Sequence, residues 1–338
     1  MNLTDAGTRP GGAGAYAVFC ARVAADEFGA EIFRTPSWVE LLPAPAASLA
    51  RYALSRLMLR GYRGTVYNPT YRAVPVHPSQ IVTVFDLIPL RHPAQHRLQH
   101  RYFTRVLPGV LRAAAGVITL SETMRREVSQ TFAVPEERVR VVPPGVGTEQ
   151  FCPGPSPGDT PYLLAAGASL PHKNVHELLD RAGLWAGQYR LIVTGAHPSY
   201  GRRLQRQADA LGLRARVTIM RKVDSQRLVD LYRGCAALVY PSLDEGFGLP
   251  PLEALACGRP VIVSDIPVHR EVCGDAAIYV RLGDAGSWQA AMDGLDDSAG
   301  SAQRAAAGAA RVRLYTWDAT RTRLVEALRG FIGDRTAA

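Results

Sequence analysis

Hydrophobic positions along this chain fall into two patterns. Short uninterrupted apolar runs, bounded by glycine, proline or polar residues, read as strands buried on both faces. Between them lie longer stretches whose apolar positions recur every three to four residues, as in helices packed on one side. In the first half this predicts strands over 2–5, 31–34, 65–68, 81–85, 116–119 and 139–142, with helices over 15–27, 49–59, 98–115 and 122–132. In the second half it predicts strands over 162–166, 190–194, 216–220, 236–240 and 260–264, and a last short one closing HREVCGDAAIYV. Helices are predicted there over 205–211, 225–233, 287–291, 302–313 and 317–331. Strand alternating with helix predicts α/β architecture with doubly wound parallel sheets.

The alternation is interrupted once. Val141 to Tyr162 is dense in Pro, Gly and Ser and reads as a linker. The expected division is therefore a first Rossmann-like domain over 1–152, a second over 153–315 and a closing helical segment over 316–338.

Composition narrows the function classes. With 338 residues and 47% hydrophobic content the chain can bury a large core, in two domains rather than one. No apolar run reaches membrane-spanning length, and MNLTDAGTRPGGAGAY lacks a basic-then-apolar leader pattern, so the expected location is the cytoplasm. Five scattered cysteines without C-x2-C spacing read as free thiols in a reducing compartment. The net charge of +9 favours anionic partners: nucleotide phosphates, lipid head groups or nucleic acid. No zinc finger, RNP-like run or aromatic-interleaved basic cluster supports nucleic acid. The only lysines are Lys173 and Lys222.

The most informative stretch is Tyr240 to Asp265, YPSLDEGFGLPPLEALACGRPVIVSD. It reads as strand, glycine loop, helix, strand. Gly246 and Gly248 let the loop bring bare backbone N–H groups to a ligand, and Pro250 or Pro251 suits the first turn of a helix. A helix start attracts anions through its unpartnered N–H groups and positive dipole end. Glu245 on the loop and Glu253 one turn into the helix therefore flank one anion site. The plainer reading has the glycines turning the chain and both glutamates solvated.

Four further stretches have two readings each. GGAGAY at Gly11 to Tyr16, with Gly12 at its centre, is a plain turn or a ligand-approach loop between strand and helix. Asp86, in FDLIPLRHP beyond the strand ending at Phe85, is a turn former or a group at the ligand-bearing edge of the sheet. Arg97, Arg101 and Arg105 share a helix face, which is solvated or docks on anionic lipid at about 1 kcal/mol per basic residue. Lys173, at a loop-to-helix junction in GASLPHKN, is a surface lysine or a phosphate partner.

The run EGFGLPPLE matches the E-x7-E motif of the retaining GT-B glycosyltransferases, and the flanking ALVYPS and EALACGRPVIVSDIPVHREVCGDAA resemble their family 4. The resemblance extends over nearly the whole chain. It implies two Rossmann-like domains facing a central cleft, with the last helix crossing back to the first domain. It also implies a hexosyltransferase that uses a nucleotide-sugar donor and needs no metal cofactor. By this resemblance Glu245 meets donor-sugar hydroxyls beside the anomeric carbon, and Glu253 takes the ribose hydroxyls. The backbone of Gly246, Phe247, Gly248 and Leu249 orients sugar and phosphate, Lys173 neutralises the diphosphate, and the Gly12 loop lines the cleft. Asp86 sits on the acceptor side. Glu271 is expected to hold the motif loop rather than react.

The chain departs from the family in three places. Phe85 replaces a histidine, Gly147 an aspartate, and Gly167 and Ala168 stand where many relatives have an arginine. Lys222 or Arg221 is the expected substitute for that second cation. The first strand is short for the family, so a few residues are expected upstream of the present start. The likeness is greatest to bacterial enzymes that transfer mannose or a deoxyhexose in lipopolysaccharide or exopolysaccharide assembly. This implies GDP-mannose as donor, a glycan or lipid-linked acceptor, retained configuration, and peripheral contact with anionic lipid at the inner face of the plasma membrane. UDP- and dTDP-sugar donors, a non-catalytic sugar-nucleotide or glycan-binding protein, and a sugar-nucleotide epimerase are the alternatives.

Overall fold

The computed structural model describes residues 12–32, 36–73, 79–155 and 160–333. The strand expected over 2–5 lies outside these, as does most of 31–34; Glu31 and Ile32 are not in a strand. The chain forms two units, one of residues 1–144 with 317–338 and one of 145–316.

In the first unit α1 (Gly12–Phe28) and α2 (Ala44–Met58) precede β1 (Val66–Asn68) and β2 (Gln80–Val84). Then come α3 (Ile88–Arg91), α4 (Arg97–Arg105), α5 (Leu107–Ala113), β3 (Gly116–Thr119), α6 (Glu122–Phe132) and β4 (Val139–Val141). The four strands lie side by side in chain order, all parallel. Val82, Val84 and Val117 pack beneath Phe103, Leu111 and Met124. Two expectations change here. Gly12 to Tyr16 is helix rather than loop, because Tyr16, Ala17 and Cys20 anchor α1 in the core and the small residues before them offer no steric bar. The single helix over 98–115 is two, because Pro108 in the first turn of α5 has no N–H to carry the ladder on from α4.

The second unit holds β5 (Tyr162–Ala165), α7 (Val175–Asp180), β6 (Arg190–Thr194), α8 (Pro198–Ala210), β7 (Val217–Met220), α9 (Ser225–Gly234) and β8 (Ala237–Tyr240). It continues with α10 (Leu249–Ala256), β9 (Val261–Ser264), α11 (Pro267–Cys273), β10 (Ile278–Val280), α12 (Ala285–Asp293) and α13 (Ser298–Leu314). Its six parallel strands run β10-β9-β8-β5-β6-β7. Chain order reverses between β5 and β8, the Rossmann switch point, beyond whose carboxyl edge ligands of such sheets bind. Trp185 and Trp288 fill the core, and the Trp288 indole N–H donates to Glu177 at 2.8 Å.

The chain passes from one unit to the other at Pro144–Gly145, before the 152 boundary read from composition. Residues 145–152 are held by the second unit. The Val146 N–H donates to the Tyr315 carbonyl at 2.8 Å, Phe151 packs edge-on to Tyr232, and Arg233 Nε donates to the Cys152 carbonyl at 2.9 Å. Pro and Gly marked irregular backbone here, but irregular backbone with this many partners is not a free linker.

The last helix, α14 (Trp317–Gly333), belongs to the first unit. Trp317 stacks on Phe19 at 4.5 Å, Thr320 Oγ1 donates to the Pro143 carbonyl at 2.8 Å, and the Phe331 ring covers Gly116 so closely that a side chain there would collide with it. None of the described helices is long and apolar enough to cross a membrane.

Candidate active site

The site is built where β5 and β8 end side by side. The loop after β5 carries Lys173 and the loop after β8 carries Glu245. The Leu243 N–H joins the two loops by donating to the His172 carbonyl at 2.8 Å. Lys173 Nζ lies 2.5 Å from Glu245 Oε1 and donates to the Tyr240 hydroxyl at 3.0 Å; the lysine and glutamate side chains are 14% and 7% exposed. Tyr240, the last residue of β8, donates its own hydroxyl proton to Glu245.

Burial pushes the Glu245 carboxyl up, but the Lys173 charge and the two hydrogen bonds outweigh it and hold the carboxyl below its ordinary value. Burial likewise pulls the Lys173 ammonium down, and Glu245 with Tyr240 outweighs it, leaving the ammonium raised. The pair is therefore ionised. An ammonium has three donors, and two are used here, which leaves one for a ligand oxygen.

Glu253 differs. It lies half-buried on α10 and its Oε2 accepts from the Tyr232 hydroxyl at 2.6 Å. Burial raises its proton affinity, and the neutral hydroxyl offsets only part of that. The two acids of the motif thus have environments that push them in opposite directions.

Between them Gly248 caps α10 at φ +92°, a left-handed conformation open to glycine. Pro250 and Pro251 remove two of the four N–H groups a helix start ordinarily offers. The helix-start N–H groups that remain are those of Gly248 and Leu249. The Phe247 side chain is buried edge-on against Tyr315 at 5.2 Å, so its backbone is the part left to face a ligand. Gly167 and Gly195, both at positive φ, bring the β5 and β6 loops into backbone contact, and Gly167 lies beside Pro250 of α10. A side chain at Gly195 would meet the Gly167 backbone.

His269 of α11 completes the wall. It is fully buried, tilted 5.5 Å from Tyr240, with Nδ1 3.0 Å from the Ser264 carbonyl. That contact makes Nδ1 the protonated nitrogen. Nε2 faces Gly248 and has no hydrogen-bond partner among the described residues. Burial lowers the imidazole's proton affinity, so the ring is neutral.

Other expected site residues lie elsewhere. Lys222 is exposed just past the edge strand β7, two strands from β5, and Arg221 is exposed beside it. Neither joins the Lys173 cluster in any described contact. Asp86 and Gly12 belong to the first unit. Asp86 follows β2, and its Oδ1 accepts the Ile88 N–H at 3.0 Å, forming a turn at the start of α3. Gly12 opens α1, exposed. Phe85 packs edge-on against Tyr16 at 5.7 Å, and the Tyr16 hydroxyl donates to the Val142 carbonyl. An apolar ring thus fills the place of the expected histidine. The Glu271 backbone carbonyl accepts from Arg311. Tyr240, Tyr232 and His269 went unnoticed in the sequence. The first two hide among apolar strand and helix positions, and only their polar tips on otherwise buried faces could have signalled a partner.

Two Rossmann-like units, with a charged site at the switch point of the second, have the architecture of the GT-B glycosyltransferases. The Anabaena protein HepE in complex with UDP-glucose superposes with a TM-score of 0.73 at 19% identity, covering 96% of this chain and 97% of that one. WaaG, a glycosyltransferase involved in lipopolysaccharide biosynthesis, superposes at 0.69 with 15% identity, covering 94% and 95%.

The sequence gives the family. Residues 18–150 match Glycosyltransferase Family 4, and residues 148–306 match Glycosyl transferases group 1. The O-antigen chain mannosyltransferase RfbU of Salmonella typhimurium is 33% identical over 83% of this chain and 81% of its own length. O-antigen chain mannosyltransferase B of Escherichia coli is 27% identical over 80% and 75%. The chain belongs to the family 4 glycosyltransferases and is a hexosyltransferase.

Proposed function

We propose that this enzyme moves mannose from GDP-mannose to a lipid-linked saccharide during O-antigen or related surface-polysaccharide synthesis, with retained anomeric configuration and without a metal. One observation carries the donor-site reading: the buried Lys173–Glu245 pair at the switch point, beside the left-handed Gly248 that opens α10. The likeness to two O-antigen mannosyltransferases supports the sugar and the acceptor class.

In this reading the spare donor of Lys173 and the N–H groups of 246–249 take the departing diphosphate, and fixed dipoles there do the work a divalent cation does in other transferases. Glu245, kept ionised, accepts from donor-sugar hydroxyls beside the anomeric carbon, while Glu253 accepts from the ribose. The bond from the anomeric carbon to the phosphate oxygen breaks. The acceptor oxygen bonds to the same face of that carbon, and its proton passes to the leaving phosphate, giving an α-glycoside. Asp86 serves the acceptor side, and Gly12 and Lys222 serve the donor. The enzyme works at the inner face of the plasma membrane, where exposed Arg97, Arg101 and Arg105 on α4 meet anionic head groups.

The test is a thermal-shift screen of GDP-mannose, UDP-glucose and dTDP-rhamnose, followed by transfer assays with and without chelator. GDP-mannose is expected to give the largest shift and turnover insensitive to chelator. A larger shift with another nucleotide overturns the donor, and loss of turnover on chelation overturns metal independence.

A further inference from the structure

The surface of the first unit contains a helix turned inside out. On α2, Leu49, Ala53 and Leu57 recur at i, i+4 and i+8, the spacing that ordinarily places a row against the core. Here the row faces solvent: Leu49 is 71% exposed and Leu57 66%. The face turned inward instead holds Ser55 and Tyr52, with Leu59 just beyond the helix. The turn before the helix, Ser37–Leu41, adds Trp38 at 52% and Leu41 at 86% exposure. Apolar exposure clustered in this way marks an interaction surface.

Charge selects the partner. Residues 36–63 contain Arg51, Arg56, Arg60 and Arg63 against one acid, Glu40. A second copy of the chain would set arginine against arginine, whereas an anionic bilayer offers hydrocarbon to the leucines and counter-charge to the guanidiniums. Tryptophan and arginine flanking exposed leucines suit the water–lipid boundary.

We propose that the Ser37–Leu41 turn and α2 insert into the boundary layer of an anionic membrane, so that docking is apolar as well as electrostatic. This deepens the membrane-facing reading above, and its test uses neither donor nor acceptor, so the two can fail separately.

The purified full chain is sedimented with vesicles of phosphatidylcholine alone or mixed with phosphatidylglycerol, at low and high salt. Salt screens the arginines but not buried leucines. The expected result is binding to the mixed vesicles that falls at high salt without vanishing, and quenching of Trp38 by brominated lipid. The combined variant Leu41→Ser, Leu49→Ser and Leu57→Ser lowers the salt-resistant fraction several-fold with an unchanged melting temperature, and Trp38→Phe removes the quenching. Binding abolished by salt without quenching, or unaltered in the triple variant, overturns insertion. So does a dimer that the triple variant dissociates in the absence of any vesicle binding.

Discussion

Lys173 Nζ and Glu245 Oε1 meet at 2.5 Å although 72 positions separate them in the chain. The reversal of strand order between β5 and β8 makes the two loops neighbours. Tyr240 locks the pair from the floor of the strand. Nothing in the local sequence of either loop requires the other, so the contact is a product of sheet order.

Replacing Glu245 tests the pair directly. Glu245→Ala leaves a buried ammonium with one neutral partner, and breaking such a pair from one side costs about 3–5 kcal/mol. The variant is expected to melt lower, remain folded by circular dichroism and lose turnover. Glu245→Gln keeps the packing and some hydrogen bonding, so it should recover stability but not activity. Unchanged turnover in either variant refutes the assigned role.

The two acids should give opposite pH dependences of stability. The lowered Glu245 binds its proton less tightly folded than unfolded, so its contribution is present above the ordinary value of 4.5 and is lost as pH falls through the folded value. Glu253 is raised, so its contribution is greatest below 4.5 and is lost as pH rises through the folded value. Glu253→Gln should therefore be as stable as the parent or more so at neutral pH, with the advantage growing from acid to neutral, while donor affinity falls. Melting curves across pH and a donor titration check both halves.

Gly248→Ala puts a side chain on a backbone at φ +92°. The space is tolerable, with the nearest atom of His269 at 3.5 Å, so the cost is conformational, about 1–2 kcal/mol. The expected outcome is a lower melting temperature with a larger fractional loss of donor binding, because relief of the strain displaces the N–H groups of 246–249. A donor-induced thermal shift equal to that of the parent contradicts their role.

Phe85→His introduces the histidine expected there from the family resemblance but removes an edge-on aromatic contact with Tyr16, worth about 1 kcal/mol. The imidazole also enters a site that is nearly closed to solvent. The variant is expected to melt lower and to keep the parent's donor-induced shift. A change in donor affinity would show that Phe85 takes part in donor recognition.

Elements whose pattern is local were legible without the structure. The strand over Gly116–Thr119, the helix over Glu122–Phe132 and the strand over Arg190–Thr194 have the expected bounds, because flanking turns and a serine cap at Ser121 fix them locally. The helix after Lys173 was expected without bounds and forms over Val175–Asp180, while the short helix Pro267–Cys273 was missed, since one or two turns give too little periodicity to read. The linker was misplaced because the residues that hold 145–152, Tyr315, Tyr232 and Arg233, are distant in sequence.

The chemistry of the motif follows the same division. Its acids, glycines and prolines, and the family they announce, are written in the order of residues, because loop-and-helix geometry depends on near neighbours. Which charge each acid carries was decided by folding. Glu245 is ionised because parallel pairing brings Lys173 against it, and Glu253 holds its proton more tightly because α9 offers it only a tyrosine hydroxyl. Partners of that kind come from other strands and helices, and a buried charge is set by its partners.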